Sequence, residues 1–213
     1  GTRGDKAPEL SRGTSQTGVR LYNERLILSL VRLHGHLPKA EMARLTGLSA
    51  QTVSVIVRQL EADGLLKRRT PQRGKVGQPL VPFELDPEGA FSIGLKVGRR
   101  SGDLMLLDLS GQVRNTIHRP YAFPSPAELL SFVKAGVEEL TSGLSDDQRA
   151  RISGLGIAAP FELWNWAEDT GAPHEVLTAW RSFDLHAEIA GLFPWPIHFC
   201  NDASAACAAE LLF

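Results

Sequence analysis

The sequence has 213 residues, of which 43% are hydrophobic and 22% charged, and no apolar run approaches the roughly 20 residues of a membrane-spanning helix. The first ten residues lack the apolar core of a secretory signal, so the composition argues against a membrane or secreted protein, and we expect a cytoplasmic one. Residues 1–85 carry 14 Lys/Arg and 7 Asp/Glu (+7), whereas residues 86–213 carry 9 and 17 (−8), which together give the net charge of −1. This asymmetry predicts that only the first part of the chain meets a polyanion.

The N-terminal region predicts an arm followed by helices. Residues 1–18 are rich in Gly, Ser, Thr and Arg without periodicity, which predicts a flexible arm before a first domain at residues 19–85. The apolar residues of a first helix follow helical spacing: Leu26, Ile27, Leu30, Val31 and Leu33. A second helix, in which Met42 and Leu45 face inward, is expected to end at Gly47.

A third helix is predicted after Ser49, whose hydroxyl can accept a hydrogen bond from an unpaired N–H of the first turn. Its inward stripe has the spacing i, i+3, i+4, i+7: Val53, Ile56, Val57 and Leu60. Its remaining positions carry mostly short or amide side chains, followed by a guanidinium: Ala50, Gln51, Thr52, Ser54, Val55 and Arg58. A merely solvated face usually carries Glu and Lys, but this one has no acidic residue before Glu61. Two helices joined in this way predict a helix-turn-helix, whose second helix enters the DNA major groove.

The next segment predicts a β-hairpin wing, because Leu65-Leu66 and Leu80-Val81 flank a turn-rich stretch. The wing cations are Lys67, Arg68, Arg69, Arg73 and Lys75. We expect the start of the third helix to read bases, since Gln can bond adenine bidentately and Ser or Thr several base edges; the residues concerned are Ser49, Gln51, Thr52 and Ser54. Arg58 and the wing cations are expected to hold phosphates. The alternative is a plain helical bundle beside a solvated basic loop.

From residue 86 to residue 213 the pattern is that of an α/β domain. Three predicted strands, "FSIGLKVG", "DLMLLDLSG" and "QVRNTIHR", precede a helix that opens with a capping box at 125–128. The inward face of this helix is Leu129, Val133, Val137 and Leu140. A strand in "RISGLGIAAP", a short helix capped by Ser182 or Asp184, a strand in "PIHFC" and a helix in "NDASAACAAELLF" follow. The order βββαβαβα predicts a mixed sheet with helices on its faces.

Polar residues stand where two of these strands end. Asp202, after Asn201, can serve as a general base, or the pair can merely cap the following helix, and the residues alone leave both interpretations open. The loop Gly156–Glu162 is a second candidate wall of a site. Cys200 and Cys207 lack zinc-ligand spacing, so we expect no metal site and two small buried side chains.

Four stretches resemble the ROK family (repressors, open reading frames and kinases), in particular its DNA-binding regulators. They are "AEMARLTGLSAQTVSVIVRQLEADGLL", "GQPLVPFELDP", "GLGIAAP" and "CNDASAACAAE". The resemblance implies an actin-like, ribonuclease-H-type ATPase lobe that holds a sugar. The implied sugar-site residues are Gly156, Ala159, Pro160 and Glu162 in the loop, with Asn201 and Asp202 bonding the sugar hydroxyls.

The sequence departs from the family pattern at the phosphate loop, where kinases of the family carry Asp-x-Gly-x-Thr. Lys96 replaces the Asp and Arg100 the Thr, although Gly98 is kept. Exchanging a carboxylate for an ammonium removes a magnesium ligand, so we expect no catalytic residue, no cofactor and no enzyme activity. Family members also continue past the position of Phe213 with a second lobe that holds a further Glu and His and a Cys-rich zinc loop, so we expect a fragment or a shortened protein.

These observations predict a transcriptional regulator of carbohydrate metabolism, expected to be a repressor. It would bind double-stranded operator DNA as a homodimer or higher homo-oligomer and sense a sugar or sugar derivative through a non-catalytic kinase-like domain. One alternative is a kinase-like domain that serves only oligomerisation. Another is an active ATP-dependent sugar kinase.

Overall fold

The computed structural model describes residues 16–71, 80–160, 171 and 173–201. The chain divides into two compact units, one made of the described residues within Gly1–Ala62 and Arg68–Glu84, the other of those within Asp63–Lys67 and Leu85–Phe213. The boundary after Glu84 lies one residue before the predicted domain boundary after residue 85. The short segment Asp63–Lys67 belongs to the second unit. Within the described ranges, no helix has the length and apolar character to cross a membrane.

The first unit is built on helices. They are α1 (Gln16–His34), α2 (Lys39–Thr46) and α3 (Ala50–Ala62). Helix α1 begins inside the predicted arm, so residues 16–18 are helical. Ile27 and Val31 of α1 are buried, but Leu33 is 78% exposed, because it lies about 200° around the helix from Val31. Leu45, at the end of the short α2, is 37% exposed, so its predicted inward position is wrong, whereas that of Met42 is confirmed.

A small sheet carries the wing. Its strands are β1 (Leu37–Pro38), β2 (Leu66–Arg68) and β3 (Pro82–Leu85), in the order β1-β3-β2. Strands β2 and β3 occupy the two sides of the predicted hairpin, whose tip, with Arg73 and Lys75, lies outside the described residues.

The second unit contains a mixed five-stranded sheet in the order β6-β5-β4-β7-β8. Its strands are β4 (Phe91–Val97), β5 (Ser101–Asp108), β6 (Val113–Pro120), β7 (Ile152–Ala158) and β8 (Ile197–Cys200). Strand β4 pairs antiparallel with β5 but parallel with β7, and β7 pairs parallel with β8. The predicted mixed sheet and its first three strands are confirmed.

The helices of this unit are α4 (Pro126–Thr141), α5 (Asp146–Ala150), α6 (His174–Thr178) and α7 (Leu185–Ala190), with 3-10 turns at Pro87–Gly89 and Ala179–Ser182. Helix α4 buries the whole predicted inward face. Ser125 caps this helix, since its Oγ accepts the Glu128 N–H at 3.4 Å, which confirms the Ser125 half of the predicted capping box; the same hydroxyl donates to Glu128 Oε2 at 2.8 Å. Asp184, not Ser182, caps α7 by accepting the Ala187 N–H at 3.0 Å. Helices α5 and α6 were not predicted, and the helix expected after Asn201 lies outside the described residues.

Candidate nucleic-acid interface and ligand edge

The turn between α2 and α3 has the geometry of a helix-turn-helix. Gly47 adopts a left-handed conformation (φ 71°), which favours glycine, and its N–H donates to Ala43 O at 2.9 Å. Ser49 Oγ accepts the Thr52 N–H at 3.1 Å, so the predicted cap is confirmed. The Ser49 and Thr52 hydroxyls also bond each other at 2.8 Å, which fixes both side chains at the start of α3. The turn therefore holds the first residues of α3 in a defined orientation.

The outer face of α3 lies opposite its buried stripe. Gln51 and Arg58 are exposed, whereas Thr52 and Ser54 are half-buried. The predicted stripe of Val53, Ile56, Val57 and Leu60 is buried throughout. The face available to a partner therefore combines an amide, hydroxyls and a guanidinium, and a guanidinium can hold a phosphate.

Each described wing cation lies beside a carboxylate. Arg68 donates from Nε to Glu61 Oε1 at 2.5 Å and from Nη2 to Oε2 at 2.9 Å. Lys67 Nζ lies 3.8 Å from Asp86 Oδ1, and Arg69 Nε lies 3.4 Å from Glu84 Oε2. The wing therefore presents less net positive charge than its cations alone predict.

The Arg68–Glu61 pair is the tightest of these contacts. The hydrogen bond from Arg68 lowers the pKa of Glu61, so the carboxylate stays ionised at neutral pH. The Arg68 guanidinium carbon also lies 5.7 Å from the centre of the Phe83 ring. Sequence analysis missed Glu61 as a partner, because seven residues separate it from Arg68 and the chain must first reverse at Gly64 (φ 76°).

The predicted sugar-site segments meet at one edge of the large sheet. In the parallel pair β7–β8, Ala158 is in register with Cys200, and the Ala159 N–H donates to Cys200 O at 3.2 Å. Ala159 and Pro160 therefore lie beside half-buried Asn201, as expected where parallel strands end together. Glu162 and Asp202 lie outside the described residues.

Gly156 is not part of the loop. It lies inside β7, in register with Gly94 of β4 and His198 of β8, so its prediction as a loop residue is wrong. Among the residues that the structure describes, a methyl group added at Gly156 would meet no atom within 4 Å.

Lys96 reaches the same edge through β4. Its position is in register with Ala158 on one side and with Asp103 on the other, and it is exposed. An ammonium group therefore stands beside the candidate loop where a kinase of the resembled family would place a carboxylate.

The turn after Lys96 is closed by hydrogen bonds. The Gly98 N–H donates to Ser101 O at 2.8 Å, and the Tyr121 hydroxyl lies 2.7 Å from Gly98 O and 2.8 Å from Ser101 O. Arg100 Nη1 donates to Ala122 O at 2.7 Å. Burial, with the nearby Asp103 charge, raises the pKa of Tyr121, so its hydroxyl stays a donor at neutral pH. Sequence analysis missed Tyr121, which lies 20 residues beyond the turn.

The remaining predictions concern cysteines and metals. Cys200 is exposed, so the prediction that it is buried is wrong, because the side chains of β8 from His198 to Cys200 are exposed. Cys207 lies outside the described residues. In the part of the chain that the structure describes, no group of three His, Cys, Asp or Glu side chains could hold a metal ion.

Comparison with known proteins gives matches to both halves of the chain. A family model described as winged helix-turn-helix DNA-binding matches residues 20–67. The uncharacterized protein y4fQ of Sinorhizobium fredii is 25% identical over 191 residues, which are 90% of this chain and 48% of that protein. The xylose repressor of Bacillus spizizenii is 24% identical over 198 residues, or 93% of this chain and 50% of the repressor. The chain thus spans about half the length of these relatives.

One solved structure is similar over most of the chain. It is described as a ROK family transcriptional regulator, a homolog of the E. coli MLC protein. The match covers 92% of this chain and 49% of that chain, with a TM-score of 0.60 and 18% identity. This likeness concerns the fold, and it confirms the predicted fold class of a winged helix-turn-helix followed by an α/β lobe.

Proposed function

We propose that this chain is a sequence-specific DNA-binding regulator of the ROK type that controls carbohydrate metabolism. The observation that carries the proposal is the outer face of α3, where Gln51, Ser54 and Arg58 precede any acidic residue. A helix with such a face, held by a capped turn, fits the major groove. Double-stranded operator DNA is the proposed partner.

The second unit is proposed as a sugar sensor without catalysis. Lys96 supports this, since magnesium needs oxygen ligands and an ammonium group cannot coordinate it. The edge where Ala159, Pro160 and Asn201 meet is the proposed sugar site. The name of the xylose repressor supports repression and a sugar effector. No cofactor is proposed.

A homodimer or higher homo-oligomer is proposed as the binding species. Helix-turn-helix dimers bind two half-sites about 34 Å apart along DNA. A sugar changes operator affinity only if it binds the arrangements of the subunits unequally.

The test measures fluorescence anisotropy of duplexes from the chain's own genomic neighbourhood at fixed salt, with and without a panel of sugars. We expect specific binding that one sugar releases. Asn201→Ala should bind the operator normally but lose the sugar response, whereas Asn115→Ala, an exposed residue of β6, should keep both. Binding indifferent to every sugar would favour a domain that serves only assembly, and absence of specific binding would contradict the proposal.

A further inference from the structure

The outer face of α3 carries an exposed branched apolar side chain, Val55. Val55 is 59% exposed, whereas the inward stripe of the same helix is at most 6% exposed. β-branched residues are also less favourable in helices than Ala, Gln or Glu. Val55 therefore adds little to the packing or the helix propensity of α3.

Val55 lies beside polar side chains on its own helix and lines an open groove. Gln51 and Gln59 lie four residues before and after it, on the same helical ridge, and both are exposed. Val55 also lines a groove of about 440 Å³ between α3 and α1, together with Ile56 and Val19. Its methyl groups therefore face a space that another molecule can enter.

Based on the proposed DNA-binding function, we propose that Val55 reads a thymine by contacting its C5-methyl group in the major groove. This methyl is the one apolar group that base pairs present in that groove, and small apolar side chains contact it. Four residues of helix rise about 6 Å, or roughly two base steps of 3.4 Å. The thymine should therefore lie within about two base steps of the base that Gln51 contacts.

The test uses deoxyuridine, which differs from thymidine only by the missing methyl group. The 213-residue chain first selects its preferred duplex from a random library, and each thymine is then replaced singly. At one thymine per half-site, replacement by deoxyuridine should lower the affinity about fourfold. This is the effect expected when one methyl-sized group is no longer buried from water. Val55→Ala should bind the thymine duplex about fourfold more weakly and no longer distinguish the two bases at that position.

A matched control is Val113→Ala, which makes the same change at a 53% exposed valine of the second unit and should keep the full discrimination. A wild-type chain that binds every deoxyuridine duplex normally would overturn the methyl contact. So would a Val55→Ala variant that keeps the wild-type ratio. If no duplex is selected, the proposed function itself is wrong, and this inference falls with it.

Discussion

Two arginine–carboxylate pairs, one in each unit, use the same chemical groups in different environments. In the second unit Arg114 Nε lies 2.6 Å from Asp108 Oδ2, and the Asp108 side chain is only 2% exposed. In the first unit Arg68 Nε lies 2.5 Å from Glu61 Oε1, but the Glu61 side chain is 28% exposed and the Arg68 side chain 62%. Solvent and salt weaken an exposed pair, whereas breaking a buried one is costly. The difference indicates a structural role for the Arg114–Asp108 pair and leaves Arg68 available to phosphates.

The other hydrogen-bond partners of Asp108 agree with its structural role. Asp108 also accepts hydrogen bonds from Ser110 N and Oγ at 2.9 and 2.6 Å and from Gln112 N at 3.1 Å. Burial alone would raise the pKa of Asp108, but the hydrogen bonds from Ser110, Arg114 and Gln112 outweigh it and lower the pKa. The ionised carboxylate thus fixes the turn between β5 and β6.

The largest expected effect is that of Asp108→Asn. This change removes the charge that Arg114 and the turn donors face, so we expect the free energy of unfolding to fall by about 3 kcal/mol. Urea denaturation at neutral pH measures it. Asp147→Asn, at an exposed position of α5, makes the same chemical change and should stay within about 0.5 kcal/mol of wild type. Equal losses in the two variants would contradict the structural role.

The pH dependence of this stabilisation follows from the lowered pKa of Asp108. A carboxyl whose pKa is lower when folded contributes its full stability above the unfolded value, about 3.9 for Asp. That contribution is lost as the pH falls below this value toward the folded pKa. The stability gap between wild type and Asp108→Asn should therefore close in urea titrations below about pH 4. A gap that persists in acid would mean that the variant perturbs packing rather than charge.

Unlike Arg68 and Arg114, the exposed Arg58 forms no ion pair with another residue in the described ranges. Without a carboxylate to compete for it, Arg58 should contact phosphate directly. Arg58→Ala should weaken all duplexes alike, by about tenfold at low salt, and reduce the slope of log K against log salt by about 1. A loss confined to one sequence would instead place Arg58 on a base.

A smaller effect is expected from Glu61→Gln, which removes the charge that Arg68 faces. The affinity for any duplex should rise by about threefold, because Arg68 becomes free to contact phosphate. This factor corresponds to the interaction energy of an exposed ion pair. Glu88→Gln is the matched control, since Glu88 accepts a hydrogen bond from Arg114 in the second unit, and it should leave DNA affinity unchanged. Weaker binding by Glu61→Gln would show that the pair positions Arg68 rather than competing with DNA.

Sequence reasoning succeeded where periodicity or local chemistry decides the structure. The buried stripe of α3 follows from 3.6-residue spacing, and the Ser49 and Ser125 caps follow from side chains three residues before the N–H groups they bond. The first three strands of the second unit were likewise predicted. Their order in the sheet follows once β7 pairs with β4.

Sequence reasoning failed where distant residues decide. Helix α5 has no buried residue, so apolar periodicity cannot reveal it. The hydrogen bonds of Tyr121 depend on the pairing of β5 with β6, and the Arg68–Glu61 pair depends on the reversal at Gly64. At the ligand edge, the prediction identified the strand ends but not that Gly156 lies within β7.

The most direct test of the central claim, that α3 reads sequence, compares wild type with Gln51→Ala. Each chain selects duplexes from a random library, and the salt dependence of binding is then measured on the selected duplexes. We predict a changed preference at one base pair per half-site with an unchanged salt slope, because an amide contacts a base edge and not a phosphate. An unchanged preference with a reduced slope would contradict the account and reduce α3 to a phosphate contact.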